Sequence, residues 1–120
     1  MSDTMLFGKY ISYLRQSRNY ALREFADMIG ISPFYLCSIE NGRKNNPSVE
    51  ILGRVYNVLQ LSKAEMEKLL DLHAEVNGCV SYDVVDYIVR NRNICSKIRS
   101  ERDTSDAGSA WNDFINRITR

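Results

Sequence analysis

Residues 22–41 read LREFADMIGISPFYLCSIEN, and this stretch decides the fold. Leu22, Phe25, Ala26 and Ile29 recur at helical spacing and mark one short helix. Ser32 then stands as an N-cap, with Pro33 at the first helical position, where its missing N–H costs nothing. Asn41–Gly42 ends the second helix. Between the two, Gly30 supplies a residue tolerant of positive φ for a tight turn. Helices that cross steeply need a small side chain where they meet, and Ala26 is that residue. Leu36 and Ile39, three apart, put two apolar side chains on one face, toward a core. Phe34, Cys37, Ser38 and Asn41 are then expected on the opposite face.

Two short helices in this arrangement meet the needs of a DNA-binding helix-turn-helix, whose second helix, here residues 33–41, enters the major groove. An ordinary helical hairpin in a small bundle satisfies the same pattern, so the motif alone does not decide.

The pattern stays helical on both sides. Leu6, Phe7, Tyr10, Ile11 and Leu14 predict a helix over about residues 5–18. Residues 42–47, GRKNNP, read as a polar loop. Ser48 can cap a fourth helix with the core face Ile51, Leu52, Val55, Tyr56 and Leu59. Ser62 and Glu65 form a capping box for a fifth, running to Asn77–Gly78. Ser81 can cap a further helix carrying Val84, Val85, Ile88 and Val89. Residues 93–102 give a weakly amphipathic turn or two around Ile94 and Ile98, TSDAGS (104–109) reads as a linker, and Trp111, Phe114, Ile115 and Ile118 make a final apolar stripe. No segment alternates as a strand does. The expected fold is all-α: a five-helix domain over residues 1–78, followed by a helical extension over 79–120.

The chain's 120 residues can hold a core without disulfides or metals. Three cysteines, Cys37, Cys79 and Cys95, form no C-x-x-C pair, and with the one histidine, His73, they offer no zinc-like spacing. No metal and no cofactor is expected, and free thiols suit a reducing cytoplasm. Cys37 can be read as a redox sensor on the groove-facing side or simply as a small, semi-apolar side chain. No apolar run approaches a membrane span, and the N-terminus lacks a basic leader, so neither membrane insertion nor secretion is expected. The chain also lacks G-x-S-x-G, H-E-x-x-H and a phosphate-binding glycine loop, which argues against an enzyme. Asp83 and Asp86 read as solvated carboxylates and His73 as structural. Net charge is only +1, split +2 over residues 1–60 and −1 over the rest. A nucleic-acid face must therefore come from local clustering, for which Arg43–Lys44 is the best candidate.

Residues 6–60 resemble the lambda-repressor-like, Cro/C1-type (xenobiotic-response-element) family of helix-turn-helix domains. The resemblance rests on FGKYISYLRQSRN, LREFADMIGIS, SPFYLCSIENGR and NPSVEILGRVYNVLQL. It implies a five-helix bundle with the third helix in the major groove. It also implies an ion pair between Arg15, late in the first helix, and Glu40, at the end of the third. For DNA contact it points to Arg23, Ser32, Phe34, Tyr35, Cys37, Ser38, Asn41, Arg43, Lys44 and Asn45. Family members often carry polar side chains at the positions of Pro33, Phe34 and Ser38. Here two of the three are apolar; Phe34 can meet a thymine methyl but makes no bidentate pair, so no target sequence is legible.

Residues 79–120 resemble tails of similar regulators less specifically. The stripe Trp111, Phe114, Ile115 and Ile118 admits two readings, dimerisation or completion of the protein's own core. A homodimer is expected on separate grounds, since one helix-turn-helix reads few base pairs and two half-sites multiply specificity. The expectation is a cytoplasmic, sequence-specific transcriptional regulator of a bacterium, phage or mobile element, acting as a repressor on double-stranded DNA. The rival is a protein-interaction module on the same fold, such as an antitoxin, inhibitor or adaptor with a protein partner.

Overall fold

The computed structural model describes residues 3–105 and 109–119. Its elements are α1 (Asp3–Ser17), α2 (Leu22–Met28), α3 (Pro33–Glu40), α4 (Val49–Leu59), α5 (Lys63–Asn77), α6 (Tyr82–Arg90), α7 (Ile94–Ser105) and α8 (Ser109–Ile118). No strand occurs among the described residues. The chain forms two compact units that divide between Asp83 and Val84.

The first unit holds the core. Phe7, Ile11 and Leu14 of α1 meet Phe25 and Ala26 of α2, Leu36 and Ile39 of α3, Leu52, Val55 and Leu59 of α4 and Leu69 and Leu70 of α5. Helix starts follow the cap chemistry. The Ser32 hydroxyl accepts from the Tyr35 N–H (3.0 Å) and that of Ser48 from Ile51 (3.3 Å). Ser62 and Glu65 close a reciprocal box at 3.1 and 2.9 Å. Gly30 turns the chain at φ +75°, and the Ile31 N–H closes the turn on the Ala26 carbonyl (3.0 Å).

One close approach carries no sequence signal. A Cβ on Gly8 would lie 2.7 Å from the Glu40 carbonyl oxygen, and nearer still to that of Ile39. Glycine at this point lets α1 pass against the last turn of α3.

Three expectations change. Tyr56, read as a core residue of α4, is 41% exposed, because α4 buries the narrower stripe Leu52, Val55 and Leu59. The first unit also runs past Gly78: the Ser81 hydroxyl donates to Asp71 Oδ1 (2.6 Å) and the Tyr82 ring lies 5.1 Å from that of His73. Finally, α7 is a full helix through Ser105, rich in Lys, Arg and Glu, which favour helix. It takes in the first two residues of the expected linker, whose residues 106–108 lie outside the described ones.

In the second unit α7 packs on α8. Trp111 and Phe114 meet at 5.7 Å between ring centroids, and the Arg102 guanidinium sits 5.1 Å over the Trp111 ring. No helix among the described residues is long and apolar enough to cross a membrane.

Candidate nucleic-acid interface

The outward face of α3 is fixed from behind. Leu36 and Ile39 are buried. Arg15 Nε lies 2.8 Å from Glu40 Oε2 and Nη2 lies 3.0 Å from Oε1, a bidentate pair. Both side chains are close to nine-tenths buried. A third donor, Arg15 Nη1, reaches the Tyr20 carbonyl (2.7 Å), so one guanidinium joins α1, the α1–α2 turn and α3. The hydrogen bond to Glu40 raises the Arg15 pKa above its ordinary value, while burial opposes it. Glu40 is the one charged residue of α3, and it is neutralised on the inner side.

Phe34 is 76% exposed, and Ser32, Cys37 and Asn41 are exposed beside it, while Tyr35 is half-buried against the core. Ser38 departs from expectation. It is 4% exposed, and its hydroxyl donates to the Phe34 carbonyl (3.0 Å) within the helix. Just beyond, the chain returns on itself at Gly42 (φ +87°) and closes the helix end: the Arg43 and Lys44 N–H groups donate to the Ser38 carbonyl at 2.9 and 3.1 Å. Ser38 is therefore not on the exposed face.

That same return brings the basic side chains beside α3. Arg43 and Lys44 are exposed, and Asn45 is half-buried. Asn41 Oδ1 accepts from the Arg43 N–H (3.2 Å), shaping the turn out of the helix. Arg23 is exposed on α2. The face is thus an uncharged, part-aromatic helix edged by cations.

Several positioning contacts had no sequence signal. Arg54 Nη1 donates to the Ile29 carbonyl (3.2 Å), capping the end of α2 from α4. Arg18 donates to the Leu59 carbonyl (2.9 Å) and pairs with Glu65 (2.9 Å). Asn77 and His73 of α5 reach Asn45 and Asn46 in the loop after α3. Among the described residues no three His, Cys, Asp or Glu side chains cluster as a metal site.

Residues 11–66 match the family model described as Helix-turn-helix. This segment is a helix-turn-helix domain. Over 57 residues the chain is 37% identical to the HTH-type transcriptional regulator SinR of Bacillus subtilis (strain 168), covering 48% of this chain and 51% of that protein. Over 61 residues it is 33% identical to the HTH-type transcriptional regulator SlrR of the same organism, covering 51% of this chain and 40% of that protein. The chain spans about half the length, or less, of these curated relatives. A crystal structure of the clp gene regulator ClgR from Corynebacterium glutamicum has the same fold, with a TM-score of 0.51 over 89% of this chain and 97% of that one at 21% identity.

Proposed function

We propose that this protein is a DNA-binding transcriptional regulator that inserts α3 of its helix-turn-helix domain into the major groove. The observation that carries the reading is the pairing of an anchored α3, whose outward face bears no charge, with the exposed cations Arg43 and Lys44 at its exit. Arg43, Lys44, Arg23 and Asn45 take phosphates, which position the domain; Phe34, Cys37 and Asn41 meet base edges, with Ser32 and Tyr35 at the helix start. Similarity to SinR and SlrR supports the regulatory role. The protein acts in the cytoplasm as a homodimeric repressor, the second unit supplying the self-association surface: Trp111, Phe114 and Ile118 are each roughly half exposed. It is not an enzyme.

Selection of bound duplexes from a random pool tests this reading. Enrichment of a palindrome is expected, and no enrichment together with no salt-dependent retention of duplex overturns it. One observation favours the rival, a protein-interaction module: the exposed ring of Phe34 is an unusual choice for a groove-reading position and suits a protein partner. Stable co-purification of one protein without DNA retention identifies that case.

A further inference from the structure

Two side chains of α5 reach across to the loop that carries Arg43 and Lys44. Asn77 Nδ2 donates to the Asn45 carbonyl and to the His73 carbonyl, each at 2.8 Å. His73 is 2% exposed, held between the rings of Phe7 (5.4 Å) and Tyr82 (5.1 Å), and its Nε2 lies 3.1 Å from Asn46 Oδ1. An amide oxygen only accepts, so Nε2 carries the proton in this pair. The near end of the loop is fastened to α3 through the Ser38 carbonyl. At the far end Pro47 is buried, and Ser48 starts α4. Arg43 and Lys44 therefore project as exposed side chains from a backbone tied at both ends to different helices.

Such a loop does not need these bonds to stay out of the core, since it is polar and mostly exposed. Its fastening instead bears on what the cations do. A loose loop must be ordered when it meets a phosphate, and that lost freedom subtracts from affinity. A loop already held meets the phosphates in place.

We infer that His73 and Asn77 are positioning residues for DNA binding, which act through the phosphate contacts of Arg43 and Lys44 without touching DNA. The inference rests on the DNA-binding reading above. The test is fluorescence anisotropy with a labelled random-sequence duplex, over a salt series, on the full chain. Asn77→Ala should weaken binding by about 3- to 10-fold, the worth of one or two hydrogen bonds, and flatten the logarithmic salt dependence. In an Arg43→Ala/Lys44→Ala background the same substitution should cost no further affinity. A general structural defect would not depend on the basic pair in this way. Asn46→Ala, at an exposed residue, removes the loop's side of the His73 bond and should behave alike; it stands in should Asn77→Ala melt early. His73→Gln retains an amide donor near the place of Nε2 and should bind within about 2-fold of wild type, the low end of what one hydrogen bond is worth. Wild-type binding with unchanged affinity in both alanine variants overturns the inference, as does a loss that persists in the Arg43→Ala/Lys44→Ala background. Absence of salt-dependent duplex binding by the wild type overturns the DNA-binding reading itself, and this inference with it.

Discussion

Arg15 on α1 grips Glu40 at the end of α3 through two hydrogen bonds, at 2.8 and 3.0 Å, with both side chains almost out of solvent. Helix α3 is thus attached to the scaffold by a charged contact as well as by Leu36 and Ile39. Glu40→Ala leaves the guanidinium buried with only the Tyr20 carbonyl as a partner in this contact set. Removing one side of such a pair costs about 3–5 kcal/mol, against less than about 1 kcal/mol for an exposed pair. Thermal and denaturant melts should show the larger loss, and DNA affinity should fall even though the substitution removes a negative charge. Unchanged melting with tighter DNA binding would refute the scaffold role.

Gly8 and Gly53 make opposite predictions from the same substitution. Both sit inside helices, where alanine is favoured by about 0.5–1 kcal/mol. A Cβ at Gly53 meets nothing within 4 Å, so Gly53→Ala should stabilise by about that amount. A Cβ at Gly8 meets the carbonyls of Ile39 and Glu40, backbone atoms that cannot rotate away. Overpacking of this kind costs about 1–3 kcal/mol, which exceeds the propensity gain. Gly8→Ala should therefore lower the melting temperature and, by pushing on the end of α3, weaken DNA binding. Equal melting shifts for the two variants would contradict the close approach.

How far the sequence spoke depends on how local each requirement is. Ser32, Pro33, Gly30 and the Ser62–Glu65 box are local devices, and the structure places them as caps and a turn. Gly8 is silent because its requirement comes from α3, some thirty residues away along the chain. Periodicity defines only the face toward the core and so puts Ser38 outside, yet its side chain is covered and its hydroxyl turns back to the Phe34 carbonyl. Gly78 ends α5 in the left-handed conformation, as a C-cap should. Yet the unit does not stop there, because Ser81 and Tyr82 pack back on α5. Long-range donors such as Arg54 and Asn77 look like ordinary surface residues until the helices are in place. The Arg15–Glu40 contact was legible only through the family resemblance.

Positioning and reading on the proposed DNA face should separate by mutation. Arg43→Ala and Lys44→Ala should weaken binding to all duplexes alike, each lost phosphate contact flattening the logarithmic salt slope by roughly 0.9. Phe34→Ala, at the most exposed apolar position of α3, should change preference among sequences. Ser38→Ala should leave preference unchanged, because its hydroxyl is turned to the Phe34 carbonyl and covered. Binding-site selection with each variant measures this. A shift in base preference from the basic-loop variants, with none from Phe34→Ala, would misplace the groove-facing surface.

His73 gives the domain a pH dependence of defined sign. Burial among Phe7, Tyr82 and Asn46 lowers its pKa below the ordinary 6.5, so the folded state resists protonation more than the unfolded chain does. The unfolded state then binds more protons as pH falls through the imidazole range. Stability should be level above that range and decline below about 6.5, by at most about 1.4 kcal/mol per pH unit for one proton. His73 is the only histidine in the chain, so a His73→Gln variant should lose this decline. Denaturant melts across the range provide the comparison; an identical decline in the variant would assign it to another group.

The second unit decides between self-association and an isolated extension. The first unit, through Asp83, carries its own core from Phe7 to Leu70 and the packed ends Ser81 and Tyr82. Truncation after Asp83 therefore preserves that core, whereas a cut at Gly78 would strip Ser81 from Asp71 and Tyr82 from His73. Beyond the cut, α8 presents Trp111, Phe114 and Ile118, all substantially exposed, and an aromatic anchor of this kind dominates an interface when buried at its centre. If the second unit joins two copies, the truncated chain should remain folded and sediment as a monomer. It should keep weak single-site binding and lose about 100-fold or more in affinity for a two-site operator, the avidity that linkage supplies. Trp111→Ala in the full chain should move in the same direction with the fold intact. Early melting of the truncated chain would instead give the stripe a role in the protein's own core. A truncation that stays folded and fully dimeric would place the interface within the first five helices, and the symmetry of the operator would then be set by the helix-turn-helix domain alone.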